Sequence, residues 1–185
     1  MTRNAKGLST LDMVYIALFA VLMTVCAWIS IPSTVPFTLQ TFALLATLGL
    51  LGGMRGTLAV TVYLLLGAVG IPVFSGFRGG LGMLLGVTGG YLAGFLVAAL
   101  LYWGLTKLLG NAFWVRALGI ALGLIACYAF GTAWFMVAYA QSTGPVGLST
   151  ALGWCVIPFL IPEAFKTALA LFVVRAVPKR VRAFR

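Results

Sequence analysis

The fold class predicted by this sequence is an all-α membrane protein, a bundle of six transmembrane helices whose outer loops cap a ligand cavity. Three observations carry that expectation. Apolar residues make up 63% of the chain and charged residues only 8%, against about 25% charged in soluble domains. The apolar residues fall into runs of helical length, separated by short connections rich in proline, glycine or threonine. The basic residues lie mostly between and after those runs. In a soluble chain the net charge of +10 would suggest nucleic acid; here it reads as a membrane-topology signal, so the expected surroundings are a lipid bilayer. With no polar stretch longer than about a dozen residues, residues 1–185 form a single integral membrane domain.

Six segments can be drawn. The first spans about 11–31 and stops at Pro32; no small-residue cleavage site follows it, so it reads as a retained helix rather than a signal peptide. Segments over about 38–51 and 57–70 are short for a span, which needs ~20 residues. Longer ones follow over about 88–109, 113–139 and 149–177, the last ending at Pro178. With the amino terminus inside, Arg3, Lys6, Arg55, Lys107, Arg116, Arg175, Lys179, Arg180, Arg182 and Arg185 all become cytoplasmic, ten of the twelve basic residues. Both termini are therefore expected in the cytoplasm and the protein in the plasma membrane.

That orientation makes the outer connections the candidate binding surface. Along the first, from Ser30 to Thr41, Pro32 and Pro36 enforce extended backbone. Thr38, Gln40 and Thr41 then offer uncharged hydrogen-bonding groups where the next helix starts, Thr38 serving equally well as a helix cap. In the second connection, Gly70 to Tyr91, eight of the 21 residues from Gly70 to Gly90 are glycine. Non-helical backbone at membrane depth is tolerated where it is buried in protein or lines a cavity, so this reads as a loop folded over the bundle with Phe74 and Phe77 as apolar walls. Arg78 either reaches the entrance or is solvated. Gly90 and Gly94 are spaced for close helix packing. Trp134 and Tyr139 suit an interfacial belt as well as a cavity wall. On the first helix Ala17, Ala20, Thr24 and Ala27 form a small-residue stripe, suited either to packing inside the bundle or to docking another subunit.

The most informative stretch is Ile157 to Ala168. Asp12 and Glu163 are the chain's two acidic residues, and Glu163 lies within an apolar run three residues before Lys166. On a helix that spacing puts both on one face. Each ionisable group in an apolar span costs about 2.5–3.5 kcal/mol on insertion scales and by default marks a functional site; a self-satisfying pair that only fixes packing is the plainer reading. Lys166 lies nine residues before Arg175, about 13–14 Å deeper at 1.5 Å per residue. A lysine at that depth needs an anion, either Glu163 or a ligand carboxylate, while Glu163 suits amide, ureido or amine donors. The pair fits a small ligand with an acid at one end, N–H groups at the other and an apolar middle.

An enzyme is not expected. The chain has no histidine, no second carboxylate beside Glu163 and no nucleophile with an adjacent base. Without Cys-x-x-Cys, and with Cys26, Cys127 and Cys155 all in apolar runs, neither a metal nor a cofactor is expected. No nucleotide-binding motif is present, so ATP-driven uptake would need other chains. An ion-coupled carrier or proton channel using Glu163 as a relay is the alternative class.

Val35-Pro36-Phe37-Thr38-Leu39-Gln40-Thr41, Gly79-Gly80-Leu81-Gly82 through Thr88-Gly89-Gly90-Tyr91-Leu92-Ala93-Gly94-Phe95, and Glu163-Ala164-Phe165-Lys166 together resemble the biotin-specific substrate-capture component (BioY) of energy-coupling-factor transporters. The resemblance covers nearly the whole chain. It implies six helices, biotin as substrate, a transmembrane coupling subunit and two cytoplasmic ATPase subunits as partners. It adds Phe37, Gly80, Thr88, Gly89, Gly90 and Tyr91 to the substrate-binding set, and assigns Ala17, Ala20 and Thr24 to subunit docking. Two positions depart from the family pattern: Glu163 stands where Asp is usual, and Ala17 is followed four residues later by Val21 rather than Ala.

Overall fold

A computed structural model describes residues 8–32 and 35–177. The basic residues Arg3, Lys6, Lys179, Arg180, Arg182 and Arg185, and the expected stop at Pro178, lie outside them. The described residues form an all-α bundle. Helix α1 is Thr10–Trp28, α2 is Gln40–Leu51, α3 is Gly53–Ala68, α4 is Leu81–Leu85, α5 is Gly89–Leu109, α6 is Phe113–Ser142, α7 is Leu148–Cys155 and α8 is Leu160–Ala176. Four stretches are long and apolar enough to cross a membrane: α1, α5, α6 and the α7–α8 unit. Helices α2 and α3 are apolar but shorter, at 12 and 16 residues, or about 18 and 24 Å at 1.5 Å per residue. Burial on nearly every side of α2, from Gln40 and Thr41 through Leu44, Leu45 and Leu48 to Leu51, makes it the central helix. An apolar helix buried all round is sheltered by protein rather than lipid.

Sequence chemistry explains most of the boundaries. Ser9 caps α1 in a capping box with Asp12, and Asp12 pairs with Arg55 of α3 at 2.7 Å. Helix α3 begins at Gly53 rather than near Thr57, which places Arg55 in its first turn. Gly52, at φ +80°, makes the whole α2–α3 turn, a conformation that favours glycine. The α1 helix stops at Trp28. Ser30–Ile31 (β1) then pairs antiparallel with Phe37–Thr38 (β2), Ser30 opposite Thr38. The residues before Pro32 and Pro36 are biased to extended backbone, which converts the expected end of the first helix into a strand.

The last span is broken. After α7, residues Ile157–Phe159 form a single 3-10 turn before α8 resumes. Pro158 and Pro162 have no N–H to bond back along the helix, so the break falls just before Glu163. Glu163 therefore occupies the first turn of α8, where the helix macrodipole favours an anion. At the other end of the bundle the buried Arg116 guanidinium donates to the Gly49 carbonyl at 3.5 Å, a cation at the C-terminal end of α2.

Between α3 and α5 the glycine-rich connection folds back as expected and contains α4, which the sequence reading did not anticipate. Phe74 N–H donates to Arg78 O at 2.9 Å and Gly80 N–H to Gly67 O at 2.7 Å. Phe74 itself is buried against Gly67, where an added Cβ would lie 1.9 Å from the ring. Trp28 fastens this loop to the end of α1: its Nε1–H donates to Pro72 O at 2.8 Å and its ring stacks on Phe77 at 4.9 Å. Trp28→Ala is expected to speed limited proteolysis within residues 70–80 several-fold, since both contacts vanish; cleavage at the unsubstituted rate would show that the fastening lies elsewhere.

The small-residue stripe of α1 is divided between two faces. Ala17 is exposed, whereas Ala20, Thr24 and Ala27 are buried, Thr24 bonding back to Ala20 O at 3.0 Å. Ala20 and Thr24 thus pack inside the bundle, while Ala17 faces outward.

Candidate functional site

One chamber lies between α2, α5, α6 and α8 beneath the folded-back connection, with about 680 Å³ of space including its open mouth. Its polar groups collect on one side. Lys166 is 3% exposed, and its ammonium donates to Thr38 O at 3.0 Å, to Thr41 Oγ1 at 2.7 Å and to Glu163 Oε1. Thr41 Oγ1–H in turn donates to Glu163 Oε1 at 2.9 Å. The ammonium also sits 4.7 Å above the Phe37 ring, a cation–π contact. Both halves of the sequence reading are thus present: Glu163 and Lys166 form an ion pair, and the pair lines a cavity.

The three ammonium hydrogens each have an acceptor, which is the full donor capacity of lysine. A ligand group reaches Lys166 by displacing one of them. Glu163 is different. Its Oε2 is buried with no hydrogen-bond partner among the described residues, an open acceptor in a low-dielectric setting where an unmet polar atom is costly. Gln40 adds a second polar group, 5% exposed. Apart from Ser75 and Thr88, the rest of the lining is apolar or aromatic, chiefly Phe74, Met83, Leu92, Phe95, Tyr128 and Phe159. The site therefore combines a few fixed polar groups with an apolar enclosure, the usual make-up of a small-molecule site.

Of the residues expected to bind substrate, Thr38, Gln40, Thr41, Phe74, Thr88, Tyr91, Glu163 and Lys166 line the chamber. Phe37 lies just behind it, stacked on Phe159 at 6.1 Å. Five others, Phe77, Gly80, Gly89, Gly90 and Trp134, are not among the lining residues. Phe77 points outward, 64% exposed, because the backbone turns at Gly76 and Phe77 itself has φ +56°. Gly80 caps α4 with φ +94°. At Gly89 an added Cβ would fall 1.9 Å from Leu84 O, and at Gly90 it would fall 2.2 Å from Trp134 Cβ. Trp134 is the other side of that contact, its Nε1–H donating to Gly86 O at 2.9 Å. Arg78 is exposed and bonds within its own loop to Ser75 O at 3.4 Å.

The sequence reading missed Phe95, Tyr128 and Phe159. Phe95 was accessible in principle, since it lies four residues after Tyr91 on the same helix face. Tyr128 and Phe159 gave no signal, as each sits in an apolar run like any packing residue. These two, with Glu163, also line an apolar groove between α6 and α8.

Comparison with known proteins adds a family. The profile of the BioY family matches residues 1–183. The biotin transporter BioY of Thermotoga maritima is 48% identical over 62% of this chain and 68% of its own length. A probable biotin transporter BioY of Pyrococcus horikoshii is 38% identical over 85% of this chain and 90% of its own. The crystal structure of the S-component for biotin from an ECF-type ABC transporter superposes with a TM-score of 0.77 at 29% identity, covering 95% of this chain and 93% of that one.

Proposed function

Since the chain belongs to the BioY family, we propose that it is the substrate-capture component of a biotin uptake transporter, holding biotin in the chamber between α2 and α8. It is a transport component rather than an enzyme. The observation that carries this reading is the buried Lys166–Glu163–Thr41 cluster opening onto an otherwise apolar enclosure. Biotin has matching chemistry, a carboxylate, a pair of ureido N–H groups and an apolar ring and chain between them. Glu163 Oε2 and the Gln40 amide are the groups that would receive N–H donors, and Phe74, Tyr91 and Phe95 would enclose the apolar middle. Thr38, Thr41 and Thr88 complete the binding set.

In this reading α2 and α3 also cross the bilayer, giving six crossings in a single membrane domain, with both termini in the cytoplasm as the arginines and lysines indicate. The chamber then faces outward, and inward delivery requires a transmembrane coupling subunit and two ATPase subunits, which resemblance to the family supports. Ala17, exposed on α1 among Val14, Leu18 and Val21, belongs to the docking face. An ion-coupled carrier or a proton channel through Glu163 is not favoured, since the family assigns the chain to biotin transport.

Isothermal titration of the purified protein tests the assignment. Biotin is expected to bind one to one, with desthiobiotin weaker and lipoate, which lacks the ureido ring, weaker by at least a hundredfold. Equal affinity for biotin and lipoate would contradict the use of Glu163 and Gln40 as acceptors.

A further inference from the structure

Beneath the chamber, and outside its lining, stands Tyr63 of α3. It is 0% exposed and its ring meets Phe74 edge-on at 5.5 Å. Its hydroxyl donates to Val73 O at 3.1 Å and is also bonded to the Gln40 amide. A phenol has one proton. With that proton committed to Val73, the hydroxyl can only accept from Gln40, so the amide must turn its NH2 toward Tyr63. The amide oxygen is then left beside Thr38 Oγ1, which donates to it at 3.4 Å, at the edge of the chamber.

We propose that Tyr63 is a positioning residue that fixes the Gln40 amide with its carbonyl oxygen toward the ligand, making this point of the chamber select for a hydrogen-bond donor. The same hydroxyl ties Gln40 to the backbone at Val73, immediately before the chamber-lining Phe74. The inference rests on the reading of Gln40 as a ligand contact. It is separate from the ion pair, because Tyr63 touches neither Lys166 nor Glu163 in any hydrogen bond of the described residues. Released from Tyr63, the amide keeps only the long Thr38 contact at 3.4 Å, and a hydroxyl accepts as readily as it donates, so rotating the amide exchanges donor for acceptor at no change in shape.

Tyr63→Phe removes one oxygen and leaves the ring packing intact. Biotin titrations of the full-length protein are expected to show about tenfold weaker binding for Tyr63→Phe, the effect of one hydrogen bond, and no further weakening when the same change is made in Gln40→Ala. Equal loss in both backgrounds, or no loss at all, would overturn the proposal. Gln40→Ala binding like the unsubstituted protein would overturn the reading of Gln40 itself and the inference with it; weakened Gln40→Ala beside unaffected Tyr63→Phe would overturn the inference alone. A second readout is independent of affinity. The chain has two glutamines, Gln40 and Gln141, and with 15N-glutamine labelling the buried Gln40 NH2 should exchange slowly in the unsubstituted protein and faster in Tyr63→Phe. An unchanged exchange rate would show that the hydroxyl does not hold the amide.

Discussion

Lys166→Ala is expected to abolish measurable biotin binding, with at least a hundredfold loss of affinity by titration. The substitution acts twice. It removes the one cation that lines the chamber among the described residues, and it leaves Glu163 buried without the ammonium that now bonds its Oε1. Orphaning one member of a buried ion pair typically costs about 3–5 kcal/mol, so the variant should also melt at a lower temperature. The two consequences separate in Lys166→Ala combined with Glu163→Gln. Neutralising the carboxylate should restore most of the thermal stability while binding stays lost. If the double variant regained biotin affinity, the cation would be a partner of Glu163 only, and the plainer reading of a packing ion pair would stand.

Gly89→Ala should be the most damaging single change outside the ionic cluster. Its added methyl would fall 1.9 Å from Leu84 O and 2.4 Å from Leu84 C. Those are backbone atoms of α4 and cannot swing aside as a side chain does, so α4 must move away from the start of α5. Overpacking of this kind costs about 1–3 kcal/mol even where side chains can adjust. Met83 and Thr88, which flank the junction, line the chamber, so biotin affinity should fall tenfold or more along with the melting temperature. Gly82→Ala supplies the contrast, because an added Cβ there meets nothing within 4 Å. Both measures should be nearly unchanged, within about 0.5 kcal/mol for a surface substitution. Equal behaviour of the two variants would show that the connection does not depend on the Gly89–Leu84 approach.

How much of this was legible in the sequence depends on whether a residue stood out from its background. Glu163 and Lys166 did, because charge inside an apolar run carries a cost that needs a reason. Thr38, Gln40 and Thr41 did, as polar residues at a proline-marked turn into an apolar helix. Tyr63, Tyr128 and Phe159 did not, since an aromatic residue in an apolar span looks the same whether it packs, faces lipid or lines a cavity. The glycine-rich connection was readable as a covering loop, yet without helical or strand periodicity nothing indicated that Phe74 turns in and Phe77 out. On α1 the stripe Ala17, Ala20, Thr24 was visible as a pattern, but spacing alone does not tell a bundle face from an outer one, and the residues divide between the two. The break in the last span follows from Pro158 and Pro162. Its importance, that Glu163 comes to lie in a helix first turn, emerged only with the fold.

A crystal structure of the protein with biotin bound would separate a ligand-binding ion pair from one that only packs. Biotin is expected inside the chamber, its polar ends within hydrogen-bond distance of the Lys166–Glu163–Thr41 cluster and of Gln40 Oε1, with Phe74 and Tyr91 against its apolar middle. Biotin bound elsewhere, with the Lys166–Glu163 pair untouched beside an empty chamber, would contradict it.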